Sequence, residues 1–256
     1  MKIAKPLQVV TAFVVALLCV TIGWAQPKKP RVLMLVTSAD KFADGRLTGL
    51  WLEEFAVPYQ VLMEGGATVT VVSPKGGATP IDPRSNPTPE QAAAWANAEK
   101  VLHSTQPLSP AIRESDFDAL FIPGGHGPMF DLARDQQVAK LVSDFARSGK
   151  LIAAVCHGPA ALVGATRADG TPLVRGKRLT SFSDSEEKAV GLQNAVPFWL
   201  EQRLIGLGAH FTQGKDFSEY AVEDGNLITG QNPQSSAKAA QLLLARLAKS
   251  ETHSSN

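Results

Sequence analysis

The sequence predicts an α/β fold, a doubly wound sandwich in which a mostly parallel sheet carries helices on both faces. Three observations lead there. Short, fully apolar β-prone runs recur along the chain, helical patterns separate them, and glycine-rich turns follow several of the runs. Strands buried on both faces read as continuous hydrophobic runs rather than as alternating ones, and helices on each side of the sheet are what bury them. At 256 residues, 44% hydrophobic and 19% charged, the chain can enclose one sizeable core.

The first residues stand apart. Lys2 and Lys5 lead into an uncharged apolar stretch from Val9 to Trp24 that ends in the small-x-small pattern Gly23-Trp24-Ala25, the pattern of a signal peptide over residues 1–25 cleaved after Ala25. The run falls short of the roughly 20 residues that span a bilayer, so the mature protein is expected to be exported, periplasmic or secreted, without a stable membrane anchor. Cleavage leaves 23 basic against 24 acidic residues, which gives no electrostatic basis for binding nucleic acid. It also removes Cys19. Cys156 is then the one thiol, and an intramolecular disulfide is impossible.

A linker is expected at 26–30. Strands then read at Arg31–Thr37, Thr68–Val72, Ala119–Ile122, Leu151–Val155, Arg178–Thr180 and Leu227–Thr229. Helical patterns read at Leu47–Met63, Asp131–Ser148, Pro159–Gly164, Pro197–Leu207 and Ser235–Lys249. The stretch 76–115 breaks that rhythm, with Pro80, Pro83, Pro87, Pro89, Pro107 and Pro110 around a helical segment at Glu90–His103. It reads as an inserted, lid-like cap beside the ligand crevice. A single domain is expected over 31–250, with 251–256 a disordered tail.

Ligands in an open parallel sheet sit outside the carboxyl ends of the strands, so the residues just after each strand come under suspicion first. Three junctions are unusual: Pro123-Gly124-Gly125-His126-Gly127, Cys156-His157-Gly158, and Ser181-Phe182-Ser183-Asp184-Ser185-Glu186-Glu187. A lone cysteine is most often a small core hydrophobe. Here it sits on a sharp strand-to-helix turn beside His157, with a second glycine turn after another strand, and that setting favours a nucleophile. Such a turn points the sulfur clear of the sheet, presents nearby amides to a developing oxyanion, and places the positive end of a following helix under the thiolate. Glu54 falls within an apolar stripe with Leu50, Trp51, Val57 and Pro58, where a carboxyl group resists ionisation and can shuttle a proton.

Six motifs in order carry a resemblance over nearly all of the chain after residue 25. They are Thr48-Gly49-Leu50-Trp51-Leu52-Glu53-Glu54 with Pro58, Ser73-Pro74-Lys75-Gly76-Gly77 with Pro80-Ile81-Asp82-Pro83, and Pro123-Gly124-Gly125-His126-Gly127. Ala154-Val155-Cys156-His157-Gly158-Pro159, Pro197-Phe198-Trp199-Leu200-Glu201 and Thr229-Gly230-Gln231-Asn232-Pro233 complete the set. On these the chain resembles the PfpI superfamily, related in fold to class I glutamine amidotransferases, and specifically its glyoxalase III and chaperone-type branch.

The resemblance implies a flavodoxin-like sandwich. It implies Cys156 as nucleophile, His157 beside it, Glu187 as the acidic third member with Asp184 as competitor in the same loop, and Glu54 as a carboxylate against the cysteine. Gly124 and Gly125 would supply oxyanion amides alongside that of His157, and His126 would line the pocket or be structural. The implied reaction converts methylglyoxal or a related 2-oxoaldehyde to a 2-hydroxy acid without glutathione. Deglycation, cysteine hydrolysis or holdase capture of unfolded or glycated clients are the alternatives. No cofactor is implied, a homodimer is the usual assembly, and no His, Cys or carboxylate pair stands at metal-ligand spacing. The export signal departs from a family that is generally cytoplasmic.

Overall fold

The computed structural model describes Met1 and residues 29–254. The expected signal peptide and most of the expected linker lie outside the described residues. The strands are β1 (Arg31–Leu35), β2 (Thr68–Ser73), β3 (Gln106–Pro107), β4 (Ala119–Ile122), β5 (Leu151–Val155), β6 (Arg178–Leu179), β7 (His210–Phe211), β8 (Ala221–Asp224) and β9 (Leu227–Gly230). Seven of them form one sheet in the order β3-β2-β1-β4-β5-β9-β8, parallel throughout except for the β8–β9 hairpin. β6 and β7 pair separately.

The apolar runs behave as strands buried on both faces, because successive side chains point to opposite sides of the sheet. Leu33 and Leu35 of β1, Leu120 and Ile122 of β4, and Ile152 and Ala154 of β5 enter one core. Val32, Met34, Ala119, Phe121, Ala153 and Val155 enter the other. The first core is covered by α3 (Gln136–Arg147), the 3₁₀ segment Gly158–Leu162 and α5 (Leu200–Gly206). The second is covered by α1 (Leu52–Glu64), α2 (Pro89–Leu102) and α6 (Ser236–Ser254). The predicted fold class is therefore the observed one.

The segment 76–115 is not a cap. Its helix α2 opens on a Thr88–Gln91 capping box and buries Trp95, Ala98 and Leu102 in the core under α1. It then delivers β3 to the edge of the sheet beside β2. The prolines misled because they sit at the joints of a crossover rather than in an excursion: Pro89 starts α2, where a missing N–H costs nothing. Only its first part reaches the site, where Leu50 N–H donates to Pro80 O and Asp82 N–H to Leu50 O.

Other boundaries move for local reasons. α1 begins at Leu52 rather than Leu47, because those bonds hold Leu50 extended beside Ile81. α3 begins at Gln136, because Asp135 caps it through the amides of Gln137 and Val138. The helix expected at Pro159–Gly164 is a short 3₁₀ turn, so little dipole is added beneath Cys156. α6 continues to Ser254, past the tail boundary expected at Glu251, and residues 255–256 lie outside the described residues.

Candidate active site

The order of the sheet reverses between β1 and β4, and the suspected residues gather outside the carboxyl ends of β4 and β5 on one side of that switch point. Cys156 follows β5 directly and adopts φ 56, a left-handed conformation rare for a residue with a side chain. Two backbone bonds flank it, from Cys156 N–H to Gly230 O at 2.9 Å and from Phe182 N–H to Cys156 O at 2.8 Å. A conformation of this kind costs about 1–3 kcal/mol and persists only where its surroundings fix it. The cysteine is free and buried.

His157 Nδ1 lies 3.3 Å from Cys156 Sγ. Its other nitrogen, Nε2, lies 2.8 Å from Glu187 Oε2. A carboxylate accepts, so Nε2 carries the proton and Nδ1 presents its lone pair to the thiol. Glu187 belongs to α4 (Asp184–Ala189), a helix absent from the sequence reading, which opens on a capping box between Ser183 and Glu186. Asp184 is occupied elsewhere: its Oδ2 accepts from Gln202 Nε2 at 2.8 Å. Of the two competitors, the fold places Glu187 against His157.

Glu187 has a second partner, because His126 Nε2 lies 3.0 Å from its Oε1. Burial alone would raise the Glu187 carboxyl, but its interactions with His157 and His126, including the bonds from both imidazoles, hold it well below the usual carboxylate range. His126 is itself pushed down to about 4 by burial and by His157, so it is neutral at physiological pH. Of the two roles expected for His126, structural or pocket-lining, its bond to Glu187 fits the structural one.

Glu54 is fully buried on α1 and packs against Cys156. Burial pushes its pKa up to about 8, against the opposing pull of Cys156 and of the Gly124 amide. Burial likewise pushes the Cys156 thiol up, as does Glu54 when ionised, while the Gly125 amide acts the other way. The pair therefore holds one proton between them more readily than it gives up both. Glu54 Oε1 is buried and makes no hydrogen bond among the described residues, whereas Oε2 accepts from the Gly124 amide.

The glycine turn serves differently from the expectation. The Gly124 amide is taken, donating to Glu54 Oε2 at 2.8 Å, and so is not an open oxyanion donor. A Cβ at Gly124 would stand 2.6 Å from His157 N and 2.7 Å from Glu54 Oε2, so only glycine lets the two elements meet. Gly125 combines φ 85 with a Cβ position 2.4 Å from both Gly49 O and Trp51 N, and its amide faces the sulfur.

Sequence reasoning passed through Asp82 and Glu186 without giving either a role, and missed Arg84. Arg84 reaches His126 Nδ1 at 3.1 Å across 42 positions, a contact no local pattern signals. Glu186 is buried and accepts from Phe217 N–H and Asn232 Nδ2, both at 2.8 Å, so it ties the 214–220 loop to α4. Metal spacing was likewise invisible in the chain order. The fold gathers His126, His157 and Glu187 so that one ligand atom from each lies within 4.8 Å of the others, a set able to hold a metal ion. Their contacts here are of hydrogen-bond length, with each imidazole N–H spent on the carboxylate.

The DJ-1/PfpI family model matches residues 46–246. The glutathione-independent glyoxalase hsp3101 of Schizosaccharomyces pombe is 30% identical over 230 residues, covering 82% of this chain and 93% of that protein. The crystal structure of glyoxalase III from Candida albicans superposes with a TM-score of 0.75 at 27% identity, covering 84% of this chain and 96% of that one. Rapid Encystment Protein 24 KDa of Francisella tularensis superposes at 0.79 with 33% identity, covering 84% and 98%.

Proposed function

This chain belongs to the DJ-1/PfpI family, and from that premise we propose that it is a glutathione-independent glyoxalase that converts methylglyoxal and related 2-oxoaldehydes to 2-hydroxy acids. The observation that carries the reading is the Cys156–His157–Glu187 line with the Glu54 carboxyl against the sulfur. A thiol nucleophile alone fits many reactions. A second, buried proton carrier at the same sulfur fits one that must move hydrogen between adjacent carbons.

His157 Nδ1 takes the thiol proton, and the sulfur adds to the aldehyde carbon of the substrate. The resulting alkoxide takes that proton, giving a hemithioacetal. Glu54, as carboxylate, removes the hydrogen from C1 and returns it at C2, while the proton of the C1 hydroxyl passes to the C2 oxygen through the enediol, leaving a thioester of the 2-hydroxy acid. His157 takes a proton from water as the water oxygen adds to that thioester carbonyl, the C–S bond breaks, and His157 passes that proton to the departing sulfur. One water is consumed and no electron acceptor is needed. The hydrogen bonds from His126 and His157 keep Glu187 ionised, and Glu187 in turn holds His157 in the required tautomer.

The test incubates the protein and its Cys156→Ala variant with methylglyoxal in the absence of any thiol, following lactate by NMR. Catalytic lactate formation confined to the unaltered protein is the expected result. Equal conversion by both, or by neither, overturns the reading. Protection of an aggregating client protein that survives Cys156→Ala, with no lactate formed by either, would move the holdase reading to the front.

A further inference from the structure

We propose that Arg84 is a positioning residue that sets the tautomer of His126 and, through it, fixes the Glu187 carboxylate on which His157 turns. The kinetic part of this rests on the glyoxalase reading; the tautomer does not.

Arg84 is anchored before it reaches the site. Asp82, with a side chain 0% exposed, accepts from the Arg84 amide and from Nε, both at 2.9 Å, and takes a third bond, from another guanidinium nitrogen, at its other oxygen. That oxygen also accepts from Thr48 Oγ1 at 2.8 Å. The next residue, Ser85, ties the segment to the start of α1 by accepting the Leu52 amide at 3.1 Å. Phe42 closes the other side, its ring 5.5 Å from the Arg84 guanidinium and 5.3 Å from the His126 ring. A buried carboxylate with this many donors spends its charge on orienting one arginine.

What that arginine touches decides a proton's position. Guanidinium nitrogens only donate, so His126 Nδ1, 3.1 Å away, must be the accepting nitrogen. A neutral imidazole with Nδ1 unprotonated carries its hydrogen on Nε2, the atom 3.0 Å from Glu187 Oε1. Were the hydrogen on Nδ1, two lone pairs would face each other at that contact, and Glu187 would be driven off the position in which its other oxygen meets His157. The positive guanidinium also opposes a second proton on His126, acting alongside burial and His157. Asp82, Arg84, His126, Glu187, His157 and Cys156 thus form one hydrogen-bonded line, in which the arginine sets the direction at His126 and the Glu187 carboxylate sets it at His157.

The experiment labels the full chain with ¹⁵N-histidine and reads the His126 ring nitrogens by long-range ¹H–¹⁵N correlation, in the protein and in Arg84→Met and Arg84→Lys, with lactate kinetics on all three. The unaltered protein is expected to show the proton on Nε2. Arg84→Met should lose that single tautomer and lower kcat by about tenfold, part of the 10²–10⁴ ordinarily carried by positioned acid–base groups, with KM held within about twofold. Arg84→Lys keeps a donor and should restore both. A proton on Nδ1 in the unaltered protein overturns the assignment even if no variant folds. So does an unchanged tautomer in Arg84→Met, or a loss confined to KM. The tautomer is read without substrate, so a protein that makes no lactate but shows the Nε2 proton refutes the reaction and leaves Arg84's role standing.

Discussion

His157 Nε2 lies 2.8 Å from Glu187 Oε2, and that bond leaves the opposite ring nitrogen 3.3 Å from the Cys156 sulfur. The acid thus acts on the nucleophile only through the imidazole. Replacing it with the neutral isostere in Glu187→Gln keeps the shape but removes the charge that stabilises an imidazolium. Lactate formation should fall on the order of a hundredfold or more. Asp184→Asn, three residues earlier, should stay within about a factor of two, the range of ordinary surface changes. Steady-state kinetics on the two variants decide between them, and a larger loss in Asp184→Asn would reverse the assignment.

Glu54 sets stability against activity. Its folded pKa is raised from 4.5 to about 8, so between those values the folded chain holds a proton that the unfolded chain has released. Stability therefore falls as pH rises through that window, and the penalty is complete above it. Glu54→Gln cannot ionise and escapes the penalty. It should be more stable than the unaltered protein by about 1–3 kcal/mol at pH 7, with the advantage shrinking towards pH 5. Lactate formation should collapse in the same variant, and the rise of kcat with pH near 8 should disappear. Denaturant midpoints at the two pH values check the first claim, and a constant offset would refute it.

Gly124→Ala tests the meeting point of the two elements. The added methyl carbon would stand 2.6 Å from His157 N and 2.7 Å from Glu54 Oε2, and the backbone nitrogen cannot move aside. Overpacking of this kind costs about 1–3 kcal/mol. Thermal unfolding should show that loss together with a displaced Glu54. The expected signature is a fall in activity larger than stability alone explains at temperatures where the variant is fully folded.

The parts legible in the sequence were those with a local signal. β1, β4 and β5 announced themselves as apolar runs, and Cys156 and Gly124 by their place after such runs. β8 escaped because, as an edge strand, it buries only Val222, and its other half is Glu223-Asp224. The cap expected at 76–115 failed because proline marks joints in a crossover as readily as it marks a loop. Glu187 was reached only through the resemblance, since a loop with several carboxylates gives no way to choose. Arg84 was not reached at all: its meaning lies in a contact with His126 that the fold creates.

The elbow itself makes a prediction that separates strain from chemistry. Cys156 sits at φ 56, where a side chain costs energy and glycine does not. Cys156→Ala removes the sulfur but keeps the strain, whereas Cys156→Gly removes both. Each should abolish lactate formation. Cys156→Gly should nonetheless be as stable as Cys156→Ala or more so, by up to about 1 kcal/mol, although glycine ordinarily destabilises a buried position through its unfolded-state entropy. That inversion follows only if the backbone bonds to Gly230 and Phe182 hold the left-handed conformation whatever residue occupies it. Chemical denaturation of the two variants reads it directly. If the alanine variant proves clearly more stable, the turn relaxes once the sulfur is gone, and the thiol itself, not the frame around it, is what bends the chain there.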